Sequence, residues 1–157
     1  MIKNRVDESA SINPALTATE CLIKEPLGEL SESSIVSLII RGFEIDDVHA
    51  MISFSKLYST PQITERIIGT PGRVTRRQRH LVPPTRLNAR QSAIAFQYAK
   101  ALEQATDVFG TQMIAEEWLS RPCKYLSGLI PLDLIENAIG FQAVRHYLER
   151  VERGIYQ

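Results

Sequence analysis

The stretch NARQSAIAFQYAKALEQATDVFG, residues 88–110, decides the fold of this chain. Asn88 and Gln91 have the spacing of a capping box, so each side chain can accept the free backbone amide of the other. The apolar residues that follow recur at steps of three and four, which places them on one face of a helix: Ile94, Tyr98, Ala101, Leu102, Ala105, Val108 and Phe109. Gly110 stands where a left-handed C-terminal cap is needed. The sequence therefore predicts one long helix that ends before Gly110.

Three shorter helices are predicted after this one. The first carries Ile114, Ala115, Trp118 and Leu119 on one side, and Trp118 is expected in the core. It ends at Arg121, because the residue before a proline is pushed out of helical geometry. Pro131 can open the next helix, with Asp133 as its cap. The last helix carries the stripe Val144, Leu148 and Val151 and ends at Gly154.

The part of the chain before residue 88 is also predicted to be helical. Residues 1–26 are rich in Ser, Thr, Asn and Glu without periodicity, and we expect a flexible arm with at most a loose turn. A helix from Ser31 should end at Gly42, and another should begin near Asp46. A third should start at Pro61. No alternation typical of strands is present, so the predicted fold class is all-α.

Composition excludes several classes of function. The 157 residues have a net charge of zero, with 44% hydrophobic and 23% charged residues, which is ordinary for a globular protein. Cys21 and Cys123 are far apart and the three histidines show no ligand spacing, so we expect reduced thiols and neither a metal nor a cofactor. The sequence contains none of the phosphate-binding, serine-hydrolase or zinc-protease motifs, and no catalytic residue is assigned. Without a membrane-length apolar run or a signal peptide, a cytoplasmic protein is expected.

An ordered set of motifs covers the last seventy residues. These are FG at 109–110, A-x-x-W-L-x-x-P at 115–122, L-x-G-x-x-P-L-D-L at 126–134, Gly140, and E-x-G-x-Y at 152–156. This set resembles the C-terminal toxin-binding domain of the Xre/MbcA/ParS-type antitoxins, which are paired with RES-domain toxins. The resemblance implies a cognate RES toxin that acts on NAD, whose NAD pocket the antitoxin would occlude. The residues expected to contact the toxin are Leu126, Leu129, Arg153, Ile155, Tyr156 and Gln157.

The tail at 154–157 allows two interpretations. Ile155 and Tyr156 form an apolar pair beyond the expected helix end, where chains are usually poor in large apolar groups, and tyrosine suits a partner's pocket. Alternatively, both residues close the domain's own core, with Ile155 continuing the stripe of the last helix.

Positive charge is concentrated between Arg73 and Arg90, where the sequence has six arginines and no Asp or Glu. A helix from Pro61, a turn at Gly69 and a helix from Gly72 to His80 would have the layout of a helix-turn-helix. The second helix would present to a major groove the residues Arg73, Thr75, Arg76, Arg77, Gln78 and Arg79, because arginine can bind phosphate or a guanine edge. Glu65, Thr70 and Thr75 differ from the small or apolar residues usual at such a turn. A basic face in solvent, or one that meets an acidic protein, is the alternative.

These observations divide the chain into three predicted parts: an arm at 1–26, an Xre-like helix-turn-helix region at 27–86 and a toxin-binding domain at 87–157. The predicted function is that of an antitoxin that neutralises a RES-type toxin and represses its own operon, as a homodimer on operator DNA. The alternative is a free-standing helix-turn-helix repressor whose C-terminal domain only dimerises.

Overall fold

A computed structural model describes residues 16–69 and 85–155 of the chain. Within those ranges the backbone forms eight α-helices: α1 Ala18–Ile23, α2 Glu32–Arg41, α3 Ile45–Ser53, α4 Pro61–Ile68, α5 Ala89–Phe109, α6 Gln112–Leu119, α7 Pro131–Leu134 and α8 Ala138–Glu152. Single 3-10 turns occur at Leu27–Glu29 and Lys124–Leu126. Extended pairing in this part of the chain is limited to two isolated bridges. The predicted all-α class is confirmed.

Local capping sets the ends of the helices, as predicted. The Ser31 hydroxyl accepts from the Ser34 amide at the start of α2. At the start of α5, Asn88 and Gln91 make both hydrogen bonds of a capping box. Gly110 ends α5 with a φ of 85°, a left-handed conformation that glycine adopts without a steric penalty.

α5 is the central helix of the structure. α1, α2 and α4 pack on it from the N-terminal half, and α6 and α8 pack on it from the C-terminal half. Much of its buried surface is alanine, which allows neighbouring helices to approach closely. The buried side chains on both sides of α5 belong to one cluster, so the helices before and after residue 87 share a core.

The expectation of a loose arm is wrong for Ala18–Ile23, which form α1. The Thr17 hydroxyl accepts from the Glu20 amide, and the Glu20 carboxylate accepts from the Thr17 amide. Ala18 and Leu22, one turn apart, are buried against the core. The capping box and this apolar pair outweigh the polar composition around them. Residues 1–15 lie outside the described residues.

A short antiparallel bridge joins the start of α3 to the segment before α5. The Ile45 amide donates to the Thr85 carbonyl at 2.9 Å, and the Leu87 amide donates to the Phe43 carbonyl at 2.9 Å. The Phe43 amide donates to the buried Ser92 hydroxyl of α5 at 3.0 Å. These bonds fix the chain before α5 against the α2–α3 corner, where Gly42 lies directly beside the backbone of residue 87.

Tyr58, in the connection between α3 and α4, is fully buried and makes a polar contact with α5. Its hydroxyl donates to the Tyr98 carbonyl at 2.8 Å, and its ring meets the Tyr98 ring edge to face at 5.3 Å. Burial raises the pKa of the Tyr58 hydroxyl well above its ordinary value, so the group remains a hydrogen-bond donor at all ordinary pH values.

We expect Tyr58→Phe to lower the free energy of unfolding by about 1 kcal/mol, since it removes one buried hydrogen bond and keeps the ring packing. Urea denaturation at pH 7 measures this difference. The slope of the unfolding free energy against urea concentration should be the same for both proteins, which would show that their folded and unfolded states are otherwise unchanged. A variant as stable as the wild type would show that this hydrogen bond makes no net contribution.

Candidate functional site

The candidate site is built by the elements that follow α5. α6 packs on α5 through Ala115 and Leu119, which are both buried. α7 and α8 lie in direct contact, because Gly140 leaves room for the α7 backbone: a Cβ atom there would be 2.4 Å from the Leu134 carbonyl oxygen. The close packing of α7 on α8 therefore explains why the motif has glycine at position 140.

Asp133 does not cap α7, contrary to the prediction. The residue that caps α7 is Ile130, whose side chain makes no capping hydrogen bond. The Asp133 carboxylate instead accepts from the Arg66 guanidinium of α4 at 2.7 Å, and the same guanidinium lies 3.2 Å from the Glu136 carboxylate. The hydrogen bond to Asp133 raises the pKa of Arg66 further. The two ion pairs of Arg66 therefore connect α4 to α7 and to the residue pair that follows it.

Trp118 lies at the edge of the core, where its side chain is partly buried. Its ring stacks almost parallel to that of Tyr147 of α8, at 5.4 Å between centroids, and meets Phe109 at 5.3 Å. Tyr125 continues the row on the far side of Tyr147, at 5.8 Å. We call these four residues the aromatic stack. It runs from the end of α5 to the surface, where Tyr125 is 57% exposed.

Sequence reasoning missed Tyr125 and Tyr147 as site residues. Tyr147 lies one turn from Val151, on the predicted stripe of the last helix, and this spacing could have placed it beside α6. The position of Tyr125 depends on the fold of its loop, which no local pattern announces.

Residues 123–129 form a closed loop that carries Tyr125. The Cys123 amide donates to the Leu129 carbonyl at 3.0 Å, and the Gly128 amide donates to the Cys123 carbonyl at 2.9 Å. Ser127 and Gly128 both have left-handed backbone angles, which turn the chain back on itself. Leu126 is buried at 9% exposure and holds the loop to the core, whereas Leu129 is 52% exposed. Of the two contact residues predicted here, Leu129 is therefore available to a partner as the loop stands, and the Leu126 side chain is not.

The residues that follow α8 form a capping motif. The Gly154 amide donates to the Val151 carbonyl at 2.9 Å, and the Ile155 amide donates to the Arg150 carbonyl at 3.0 Å. This is a Schellman motif, with Gly154 in the left-handed conformation at a φ of 72°. The prediction that Gly154 ends the last helix is confirmed.

The predicted contact residues of the tail can be placed only in part. Arg153 is exposed, and Ile155 is 59% exposed. The alternative in which Ile155 closes the core is therefore wrong. Tyr156 and Gln157 lie outside the described residues.

The predicted DNA-binding residues also lie outside the described residues, since all of them fall within 70–84. The predicted first helix of the helix-turn-helix is present as α4, which begins at Pro61 and is followed by Gly69 with a φ of 89°. The Gln91 side chain donates to the Ile68 carbonyl and so connects the end of α4 to the first turn of α5.

None of the described helices has the length and hydropathy needed to span a membrane. Within the same ranges, no group of three His, Cys, Asp or Glu residues is placed to hold a metal ion.

This part of the chain matches the model of a known family. Residues 104–154 match the family model of the antitoxin Xre/MbcA/ParS C-terminal toxin-binding domain. The matched range contains the end of α5, the closed loop, α6 to α8 and all four residues of the aromatic stack. No curated protein matches the chain.

Proposed function

We propose that this chain is the antitoxin of a toxin–antitoxin pair and that it neutralises its toxin by direct binding. The observation that carries the proposal is the family match at residues 104–154, which is described as a toxin-binding domain. Tyr125 and Leu129 within this range, and Ile155 directly after it, are exposed at the surface. Exposed aromatic and aliphatic groups on a rigid base are suited to a protein partner.

The proposed partner is a RES-type toxin that consumes NAD, as the resemblance of the sequence motifs implies. In this proposal the tail from Arg153 to Gln157 lies at the entrance of the toxin's NAD pocket and blocks it. The Schellman motif supports this role, because it fixes the direction in which the chain leaves α8. A fixed exit reduces the conformational entropy that binding would otherwise have to overcome.

Co-expression tests the partner directly. We expect the gene beside the one for this chain to encode a RES-type protein. That protein should arrest growth when it is expressed alone, and co-expression of this chain should restore growth. The two proteins should also co-purify. If the neighbouring protein is not toxic and does not co-purify, the alternative of a free-standing repressor with a dimerising C-terminal domain replaces the proposal.

We further propose that the chain binds operator DNA as a homodimer through the region at 27–86. The acid-free run of arginines between residues 73 and 90 supports this, because such a run suits a polyanion. The position of α4 and Gly69 before it agrees with the first half of a helix-turn-helix. A homodimer would place two such units on the two halves of an operator.

We expect the triple change Arg73→Ala, Arg76→Ala and Arg77→Ala to weaken operator binding and to reduce its salt dependence. Each lost phosphate contact means that about one counterion fewer is released when the protein binds. The plot of log K against log salt should therefore become shallower, with the magnitude of its negative slope reduced by roughly one per lost contact. A gel-shift series from low to high salt on the promoter fragment measures both effects.

Toxin neutralisation should survive this change, because the three arginines lie outside the matched toxin-binding range. The matched control for DNA binding is Arg121→Ala, which removes an exposed arginine from the toxin-binding range and should leave the affinity for DNA and its salt dependence unchanged. DNA binding by the triple variant that equals the wild type would contradict the helix-turn-helix assignment.

A further inference from the structure

We infer that the aromatic stack, with Tyr125 at its outer end, is the docking surface for the toxin, separate from the tail that blocks its pocket. The inference rests on the proposed function, since it names the surface by which the proposed complex forms. The occupant is the toxin itself, because all four aromatic residues fall within the matched toxin-binding range.

The burial of the stack changes along its length. Phe109, Trp118 and Tyr147 are partly buried against the core, whereas Tyr125 is 57% exposed. The ring of Tyr125 is held by stacking on Tyr147 at 5.8 Å with an angle of 26° between planes. An exposed ring supported from behind by a row of others is a rigid apolar anchor, and such anchors dominate the binding energy of protein interfaces.

The closed loop holds Tyr125 in place before any partner arrives. Hydrogen bonds from Cys123 to Leu129 and from Gly128 to Cys123 close it, and the buried Leu126 fixes it to the core. The side chains of Tyr125 and Leu129 therefore extend from a loop whose backbone is already ordered before binding. This reduces the loss of conformational entropy on binding and so favours affinity.

The charges beside the stack indicate the chemistry of the partner surface. Lys124 precedes Tyr125 and is exposed. Arg121, one turn after Trp118, has a largely exposed side chain and is paired with Glu117 at 2.6 Å. Lys124 therefore places a positive charge directly beside the Tyr125 ring. This arrangement fits a toxin surface that has an apolar pocket for the ring and a carboxylate at the border of that pocket.

The test measures the affinity of the full chain for the purified RES-type toxin by titration calorimetry. Tyr125→Ala should weaken binding about thirty-fold, the effect expected of an interface hot spot. Tyr125→Phe keeps the ring and should bind within a few-fold of the wild type. The matched control is Ile139→Ala, in the same matched range but in the first turn of α8, where the side chain is 81% exposed. This control should bind like the wild type.

The outcomes are distinct. Melting curves that overlap for Tyr125→Ala and the wild type show that the variant is folded, and its weak binding then supports the inference. If Tyr125→Ala binds as tightly as the wild type, the stack is not the docking surface, although the antitoxin proposal stands. If the wild type itself does not bind the toxin, the proposed function fails and the inference fails with it. Lys124→Glu should weaken binding most at low salt, and an unchanged affinity would overturn the acidic border.

Discussion

Gly42→Ala is expected to lower the free energy of unfolding by about 3–4 kcal/mol. Gly42 ends α2 with a φ of 87° and a ψ of 137°, backbone angles that side-chain-bearing residues rarely adopt. A Cβ atom on it would lie 2.1 Å from the Leu87 carbonyl oxygen. That oxygen belongs to the backbone directly before α5. The clash can therefore be relieved only by moving the α2–α3 corner away from the start of α5.

Two other glycines separate the contributions to this effect. Gly110 has a φ of 85° and open space around its Cβ position, so Gly110→Ala should lose only the backbone strain, about 1–2 kcal/mol. Gly28 has neither a positive φ nor a neighbour within 4 Å, and Gly28→Ala should change stability little. Urea denaturation of the three variants gives the comparison. If Gly42→Ala loses no more stability than Gly110→Ala, the close approach to residue 87 is not a constraint on the fold.

Removal of residues 155–157 is expected to have the largest effect on function. The proposal places Ile155, Tyr156 and Gln157 at the NAD entrance of the toxin, and the loss of two apolar contact residues should weaken inhibition roughly a hundred-fold or more. Helix content and DNA binding should stay the same, because Ile155 is exposed and contributes little to the core. The rate at which the toxin consumes NAD at an equimolar ratio measures the loss of inhibition. Circular dichroism of the truncated chain measures its helix content.

A shorter truncation is the control for this experiment. Removal of residues 156–157 alone keeps the hydrogen bond from the Ile155 amide to the Arg150 carbonyl, and with it the Schellman motif. Release of the toxin by this variant would assign the block to Tyr156 and Gln157. If the chain without residues 155–157 still suppresses the toxin at an equimolar ratio, the block does not come from the tail. The closed loop and the aromatic stack are then the surface to examine.

Local chemistry explains why so much of the fold was predictable. Ser31, Asn88 with Gln91, and Pro61 each act within one helical turn, and they mark helix starts where the structure has them. The helix that the prediction missed, α1, had the same kind of signal, since Thr17 and Glu20 have capping-box spacing. The polar composition of the surrounding residues outweighed that signal in the prediction.

The site was less predictable because it depends on contacts between distant residues. Asp133 looked like a helix cap in sequence, but its partner is Arg66, 67 residues earlier. Trp118 looked like a core residue, yet its neighbours Phe109, Tyr147 and, through it, Tyr125 lead to the surface. Leu126 and Leu129 looked equivalent in sequence, and only the closure of the loop makes one buried and the other exposed. Such pairings depend on how elements that are distant in sequence pack together, which no local pattern shows.

Titration of the toxin with this chain tests the proposed neutralisation by direct binding. The proposed RES-type toxin is purified and incubated with NAD while this chain is added in increasing amounts, with bovine serum albumin as the protein control. We expect NAD consumption to fall in proportion to the added chain and to stop near the equivalence point. NAD consumption that stays constant beyond a molar excess of the chain would contradict it.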